Sequence, residues 1–494
     1  MENKYIIALD QGTTSTRSIL FDEEGNIVKI SQKELTQHYP QSGWVEHDPE
    51  EIFQHQKETL HELFETSEIH PSKIKAIGIT NQRETTVVWD KNTGVPIYNA
   101  IVWLDNRTKM FCGNLKSEKL DQYIQENTGL VLDAYFSATK VHWILNNVSG
   151  AKDKAEAGDL LFGTIDSWLI YKFTNGKRHV TDHTNASRTL LYNCKKLQWD
   201  DYLLSVFDIP KSMLPVVQSS SSNFGSIEIQ DVSIPIYGVA GDQQAALFGQ
   251  GGFEKGIAKN TYGTGCFMLL NTGTNFIKST HGLLTTIACS IEEEEIQYAL
   301  EGSIFIGGAS IQWLRDQMKL ISEAKQTEAI CNSIEPLEDV YVVPAFAGLG
   351  APHWDGQAKG AIYGLTLDTG KEHIIKATVE ALAYQTMDVL KAMEQDGKIA
   401  LKKLLVDGGA SENGYLMQFQ ADILNVLVDK PKMIEVTALG AALLAGIKAR
   451  VWTKMDIQKL RNNDVIYAPS MEAKQRNNKI AGWQDAISRT KTTR

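Results

Sequence analysis

Cysteine is scarce and scattered: five residues, at positions 112, 194, 266, 289 and 331, with no C-x-x-C among them. The odd count and wide spacing exclude a disulfide framework and offer no thiolate zinc site, so reduced thiols and a cytoplasmic location are expected. A basic excess is also lacking. The formal net charge of −11 argues against sequence-independent nucleic-acid binding, which needs a basic surface to displace counterions. No long apolar run is present. The most membrane-like stretch, Ala438 to Ile447 (ALGAALLAGI), is half the length needed to span a bilayer and rich in small residues, so a tightly packed core helix is expected and no membrane insertion. The start, Met1 to Lys4, runs straight into the apolar Tyr5 segment, so no export signal is expected, and Asn185-Ala186-Ser187 is an accidental match to a glycosylation acceptor. The common phosphate motifs are missing as well. Gly364 to Glu372 (GLTLDTGKE) imitates a P-loop, but it has five residues between its glycines and Glu372 where Ser or Thr must meet magnesium; there is no G-x-G-x-x-G.

What is present begins with Ala8 to Asp22, ALDQGTTSTRSILFD. Tyr5 to Leu9 and Ser18 to Phe21 favour strands, and Gly12 allows a turn between them in which Thr13, Thr14 and Ser15 offer N–H groups and hydroxyls to an oligophosphate. Asp10, at the strand end, suits Mg²⁺ held through water. An ordinary hairpin with a Gly-Thr turn is the competing reading. At 494 residues the chain exceeds one comfortable core, so two large domains are expected, or three, with a site in the cleft between them. A third strand at Ile27 to Ser31 completes a meander. A helix then opens at Pro49 behind an Asp48 cap, and Ile74 to Thr80 is the next strand. That order is not the strict βαβ alternation of a dinucleotide fold. Leu160 to Ile170 is a further strand-turn-helix, and Gln218 to Ser226 (QSSSSNFGS) is expected to be a polar surface loop.

Three polar clusters stand at the ends of apolar runs. Asn81 to Thr86 (NQRETT) sets Arg83 beside Glu84, either as a salt link at a sheet end or as a polyol grip, with donors from one and acceptors from the other. Trp103 and Tyr135 lie at the edges of apolar segments, where rings pack on carbon or belong to the core. Asp242, in GVAGDQQAALF, either caps the following helix or serves as a base, and a cap carboxylate has few lone pairs left for a proton. Asn260 to Gly273 (NTYGTGCFMLLNTG) repeats the design of the opening stretch, which points to internal duplication and to two like turns gripping one phosphate chain. Gly307 to Leu314 and Val406 to Asn413 are small-residue turns that let a base or ribose approach the backbone.

With ALDQGTTSTR, GITNQRETT, GVAGDQQAALFGQ, NTYGTGCFMLLNTG, GASIQWLRD, VVPAFAGLGAPHWD, VDGGASEN and VTALGAALLAG in that order, the chain resembles over nearly its whole length the glycerol kinases, a branch of the FGGY family of carbohydrate kinases. The resemblance implies an α/β fold of two duplicated ribonuclease H-like domains, 1–250 and 251–494, as in the actin and Hsp70 ATPases, with a cleft between them. It implies phosphorylation of glycerol by ATP with Mg²⁺, Asp242 as general base, and glycerol held by Arg83, Glu84, Trp103, Tyr135, Asp242, Gln243 and Phe267. ATP or ADP is then met by Thr13, Thr14, Ser15, Arg17, Thr264, Gly308, Gln312, Gly409 and Asn413, with Asp10 at the metal. Homodimers or homotetramers are common among such relatives. Two regulatory devices of the relatives are expected to be missing: no arginine lies between Arg188 and Arg315 to bind a sugar bisphosphate, and no histidine between His183 and His281 to be phosphorylated. Further departures are Leu104-Asp105-Asn106 after Trp103, Ala134 before Tyr135, and Gly414 after Asn413. Two rival functions remain at this stage: a kinase for a longer polyol or ketose, and a non-enzymatic nucleotide switch of the actin type, which would have no use for Arg83, Glu84 and Asp242 together.

Overall fold

The computed structural model describes residues 4–334, 340–433, 435–461 and 465–492; residues 1–3, the beginning of the expected leaderless start, lie outside them. Strands β1 (Tyr5–Gln11), β2 (Ser15–Phe21) and β3 (Ile27–Glu34) form the expected meander. Helix α1 (Pro49–Ser67) follows, with Asp48 accepting from the Glu50 N–H at 2.8 Å and Pro49 in the first turn, and β4 (Ile74–Asn81) returns parallel to β1. The hairpin β5 (Ser221–Ile229) and β6 (Val232–Gly241) completes a sheet of order β5-β6-β4-β1-β2-β3, from which helix α2 (Asp242–Gly249) leaves. The second half repeats the plan with β7 (Ile257–Tyr262), β8 (Cys266–Gly273), β9 (Leu284–Ile287) and β10 (Tyr298–Ile304). Helices α3 (Ala309–Asp316) and α4 (Lys371–Gly397) precede β11 (Lys403–Asp407), α5 (Gly414–Leu424), β12 (Leu427–Lys430), α6 (Val436–Lys448) and β13 (Val465–Tyr467).

The duplication is visible strand by strand. The second sheet runs β9-β10-β8-β7-β11-β12-β13, and β10-β8-β7-β11-β12 matches β3-β2-β1-β4-β6: three antiparallel strands, then two parallel ones. Register then decides where chemistry can gather. Gln11 and Gly241 both lie opposite Asn81, so β1, β4 and β6 end together and deliver Asp10, Arg83 and Asp242 to one edge. Carboxyl ends of parallel strands are where ligands bind in open α/β sheets.

The near-continuous apolar character of β1 follows from covering on both faces. Ile7, Leu9 and Leu20 pack with Ile52, Leu60 and Leu63 of α1, whereas Ile6, Ala8, Ile19 and Phe21 pack with Ala438, Ala441, Ala442 and Ala445 of α6. Helix α6 belongs to the second half of the chain yet seals the sheet of the first. Its small residues permit that contact. A Cβ on Gly440 would stand 1.9 Å from the Ala245 carbonyl of α2, and one on Gly78 would stand 2.1 Å from the Ala441 carbonyl. Ala438 to Ile447 is thus a tightly packed core helix, and among the described residues no helix is long and apolar enough to cross a membrane. All five cysteines are free.

One expectation fails. Gln218 to Ser226 is not a surface loop: it feeds β5, and Ser220, Ser221 and Ser222 are buried. Their hydroxyls are satisfied internally, Ser220 Oγ donating to Asp182 at 2.7 Å and Ser221 Oγ to the Leu444 carbonyl of α6 at 2.8 Å. Serine here lets a strand approach a helix backbone, a tertiary use that composition cannot express. The β5–β6 turn is closed tightly by Gln230 and Asp231, both at positive φ (48° and 63°), the backbone of a two-residue hairpin.

Gly440→Ala should destabilise the protein by about 1–3 kcal/mol because the added methyl forces α2 and α6 apart. The exposed Gly113, whose Cβ would meet nothing within 4 Å inside a helix, should instead gain about 0.5–1 kcal/mol on mutation to Ala. Thermal midpoints of the two variants in opposite directions are the expected result; equal midpoints would remove the energetic weight assigned to the helix contact.

Candidate active site

The end of β4 turns sharply at Arg83 and Glu84, and both side chains are buried. Glu84 adopts a left-handed backbone (φ 59°), a conformation that costs a bulky residue energy and persists only when overdetermined. The hydroxyls of Thr86 and Ser137 both donate to its carbonyl at 3.0 Å. Held this way, Glu84 directs its carboxylate inward, where Oε1 accepts from Arg188 Nε at 2.5 Å. Arg83 grips Glu301 with both terminal nitrogens, at 2.6 and 3.0 Å, and Arg188 Nη2 shares the same Glu301 oxygen at 3.0 Å. Arg83 and Glu84 are therefore members of a buried four-residue network whose members come from both halves of the chain. Burial raises the Glu84 carboxyl against the pull of Arg188 and Arg83, while for Glu301 the two arginines outweigh burial and hold the carboxyl at about 2.

Asp242 is the first residue of α2 and makes no capping bond; Gly241 occupies the cap position. Its Oδ1 accepts from the Gln243 N–H at 2.7 Å and lies 3.2 Å from Arg83 Nε, while Oδ2 accepts from Gln243 Nε2 at 3.3 Å. About a third of the side chain is exposed (35%). The buried Lys259 donates to Gln243 Oε1 and, at 2.6 Å, to Thr261 Oγ1, fixing the amide.

Three rings wall this cluster. Trp103 meets Tyr135 edge-on with centroids 5.6 Å apart and Phe267 at 6.3 Å. Trp103 Nε1 donates to Thr13 Oγ1 at 3.0 Å, so one indole joins the turn of the first hairpin to β8 of the second. Tyr135 rides on a segment whose carbonyls at 134 and 135 accept from the buried Lys140 at 2.7 and 2.6 Å; burial pushes that ammonium down to about 8. Ala134 thus contributes a carbonyl, for which side-chain identity is secondary.

Each Gly-Thr turn is closed by its glycine N–H at 2.9 Å, Gly12 to the Ser15 carbonyl three residues on and Gly263 to the Gly265 carbonyl two residues on. In the first, Asp10 lies across the strand pair from Arg17, and the Thr14 carbonyl is tied to Leu35 at 2.9 Å. Burial pushes the Asp10 carboxyl up to about 7; Arg17 opposes this, and Glu435 and Asp242 add to it. Arg17 itself is paired with Glu435 at 2.6 Å, a link from β2 to the entry of α6. In the second turn, the N–H groups of Gly307, Gly308 and Ala309 bond the carbonyls of Gly263 and Thr264 at 2.9–3.1 Å, seating α3 on the hairpin.

Beside that turn opens a cavity of about 570 Å³, lined by Thr264, Gly308, Gln312, Gly409 and Asn413 among others. Five of the expected nucleotide residues, from three separate stretches of chain, thus share one cavity. Val379, Leu382 and Leu416 give it apolar surface suited to a base. Asn413 caps α5 through Leu416 N–H at 2.9 Å and holds Thr327 at 3.0 Å. Gly414, the departure noted above, donates its N–H to Glu328 at 3.1 Å. Thr13, Thr14, Ser15 and Arg17 stand at the other turn.

Sequence reasoning missed Arg188, Glu301 and Lys259. Glu301 and Lys259 each interrupt a strand, YALEGSI and IAKNTY, and a lone charge inside an apolar strand was the available signal. Arg188 sits in a segment that carried no assignment, and nothing local marks it.

Comparison with known proteins matches the same two halves. Residues 5–249 match the N-terminal domain of the FGGY family of carbohydrate kinases, and residues 258–449 match its C-terminal domain. Relatives include glycerol kinases of Alkaliphilus oremlandii, 59% identical over 98% of this chain and 97% of that protein, and of Fusobacterium nucleatum, 57% identical over 99% of each. Among solved structures, Plasmodium falciparum glycerol kinase with ADP superposes with a TM-score of 0.93 at 40% identity, covering 99% of this chain and 98% of the other. A gluconate kinase of Lactobacillus acidophilus, at 22% identity and a TM-score of 0.87, covers 98% of this chain and 97% of its own and shares the fold. Two sheets of one plan, a match to both domain models and these relatives over nearly the whole length establish that the chain belongs to the FGGY family of carbohydrate kinases.

Proposed function

We propose that the protein transfers the γ-phosphoryl group of ATP to a terminal hydroxyl of glycerol, giving sn-glycerol 3-phosphate. The observation that carries the reading is the convergence of Arg83, Glu84 and Asp242, the last with an Oδ2 that accepts one long bond, from Gln243 at 3.3 Å, beside Trp103, Tyr135 and Phe267. Paired donors and acceptors suit adjacent hydroxyls, and the rings suit the carbon between them. Relatives bearing the name glycerol kinase, 56–59% identical over nearly the whole chain, support the choice of polyol.

In this reading Asp242 Oδ2 takes the proton of the attacking hydroxyl, while the Oδ1 contacts to Gln243 and Arg83 hold the carboxylate at one angle. Glu84 accepts from a second hydroxyl and Arg83 donates to it, so the chain is presented end-on to the phosphate turns. The turns at 12–15 and 263–265 receive the phosphates, and the cavity at Gly409 and Asn413 receives the nucleoside. Because the transition state for phosphoryl transfer is loose, alignment contributes more than basicity, and exclusion of water from the cleft protects ATP. Asp10 fits a magnesium site: a partly buried carboxylate raised to about 7 beside Glu435 and Asp242 has less cationic compensation than its surroundings demand. Mg²⁺ bound there with the phosphates would offset their negative charge.

Asp242→Asn should retain glycerol and ATP binding but lose about 100-fold or more in turnover in a coupled assay of ADP formation; near-normal turnover would remove Asp242 from the base role. Propan-1-ol lacks the hydroxyls that Arg83 and Glu84 would pair with, so its kcat/KM should fall at least about 100-fold below that of glycerol. Equal rates, or a longer polyol preferred across a panel, would overturn the glycerol assignment. A Cβ on Gly409 meets no protein atom within 4 Å, so Gly409→Val should fold normally, raise the Kd for ADP by about tenfold in calorimetry and leave glycerol binding unchanged. Unchanged ADP affinity would move the nucleoside out of this cavity.

A further inference from the structure

Glu301 stands in the middle of β10, the strand that pairs with β8 on one side and β9 on the other, opposite Leu269 and Leu284. Its neighbours alternate. Leu300 and Ile304 face the core of the second half, and Ala299 packs with Leu247 of α2. Glu301 shares the outward face of Ala299 and is buried against the first half of the chain. A carboxylate there is costly unless well paired, and it has three charge-assisted hydrogen bonds, two from Arg83 and one from Arg188. Both arginines and Glu84 come from the first half, so Glu301 alone brings a charge from the second half into this square.

We propose that Glu301 is a positioning residue that holds Arg83 and Arg188 apart and keeps the carboxylates of Glu84 and Asp242 available to substrate. The argument is one of competition. Arg83 Nε already lies 3.2 Å from Asp242 and 4.0 Å from Glu84, and Arg188 Nε is bonded to Glu84 at 2.5 Å. Glu301 occupies the Nη1–Nη2 edge of Arg83 and one Nη2 N–H of Arg188, which limits how far either guanidinium can turn. Without its charge, two buried cations would be left with Glu84 and Asp242 as their only carboxylate partners, and closing onto them would consume the oxygens that a polyol hydroxyl and a transferred proton require. The same carboxylate also ties Arg83 and Arg188 to the second sheet, because β10 is hydrogen-bonded to β8, which carries Phe267 and begins directly after the 263–265 turn.

This inference rests on the reading of Arg83 and Glu84 as the glycerol pair, so wild-type protein is assayed first. Glycerol-dependent ADP formation by the wild type keeps that reading, and its absence overturns the reading itself. With the wild type active, Glu301→Gln should raise the glycerol KM at least about tenfold and lower kcat, while the ATP KM changes less than about threefold. Glu301→Asp, which restores the charge without the reach to bridge both arginines, should fall between the two. Glu301→Gln combined with Arg188→Gln restores the charge balance of the cluster; it should regain thermal stability but not glycerol affinity. A folded Glu301→Gln protein with wild-type glycerol KM would overturn the inference, as would a double variant that recovers wild-type affinity, since the role would then be charge balance alone. If Glu301→Gln yields no folded protein, Glu301→Asp carries the same comparison, and an unchanged glycerol KM in that variant would overturn the inference.

Discussion

At Gly440 the backbones of α6 and α2 approach so closely that no side chain fits between them. Everything in the cleft depends on that distance. Helix α6 follows β12 in the second half of the chain, and α2 follows the matching strand β6 in the first, so the two helices are counterparts in the duplicated plan. Their contact ties the two halves of the chain together within one helical turn of Asp242. Gly78, Gly238 and Gly249 extend the same requirement over the sheet and the helix, since a Cβ at each would meet main-chain atoms of α6.

Against this apolar seam the cleft sets a dense polar one. Arg83, Arg188, Glu84, Glu301 and Asp242 lie within one network, with the buried Lys259 beside it through Gln243. Buried charge of this kind contributes little net stability, because desolvation offsets much of the attraction. Its value is directional. Bidentate and shared contacts leave few orientations open to each side chain, which is what alignment of two substrates for transfer requires. Trp103 extends the alignment by bonding Thr13 on one side and packing on Phe267 on the other.

How far the sequence could be read depended on whether a feature was local. The Gly-Thr turns, the Asp48 cap with Pro49, the NQRETT bend and the small-residue character of 438–447 each announce their geometry over a few residues. All of these adopted it. The serine run at 219–222 announced a loop, yet Ser220 to Ser222 are buried where the chain enters β5, because their hydroxyls found an aspartate and a helix carbonyl far away in the chain. Glu301 and Lys259 were visible only as isolated charges in apolar strands, and Arg188 carried no signal at all. Their partners at the site, Arg83, Glu84 and Gln243 among them, lie 16 to 218 positions away.

By itself, then, the sequence determined the two-halved architecture, the turns at 12–15 and 263–265 and the residue types available at each strand end, because turn chemistry and hydrophobic period act over short spans. Only the tertiary structure decided that Asp242 does not cap its helix, that Arg83 and Glu84 are neither a simple pair nor an isolated one, and that a glutamate from the other half stands behind them. Those outcomes depend on which strands lie side by side and in what register, and a register is settled by the packing of whole sheets.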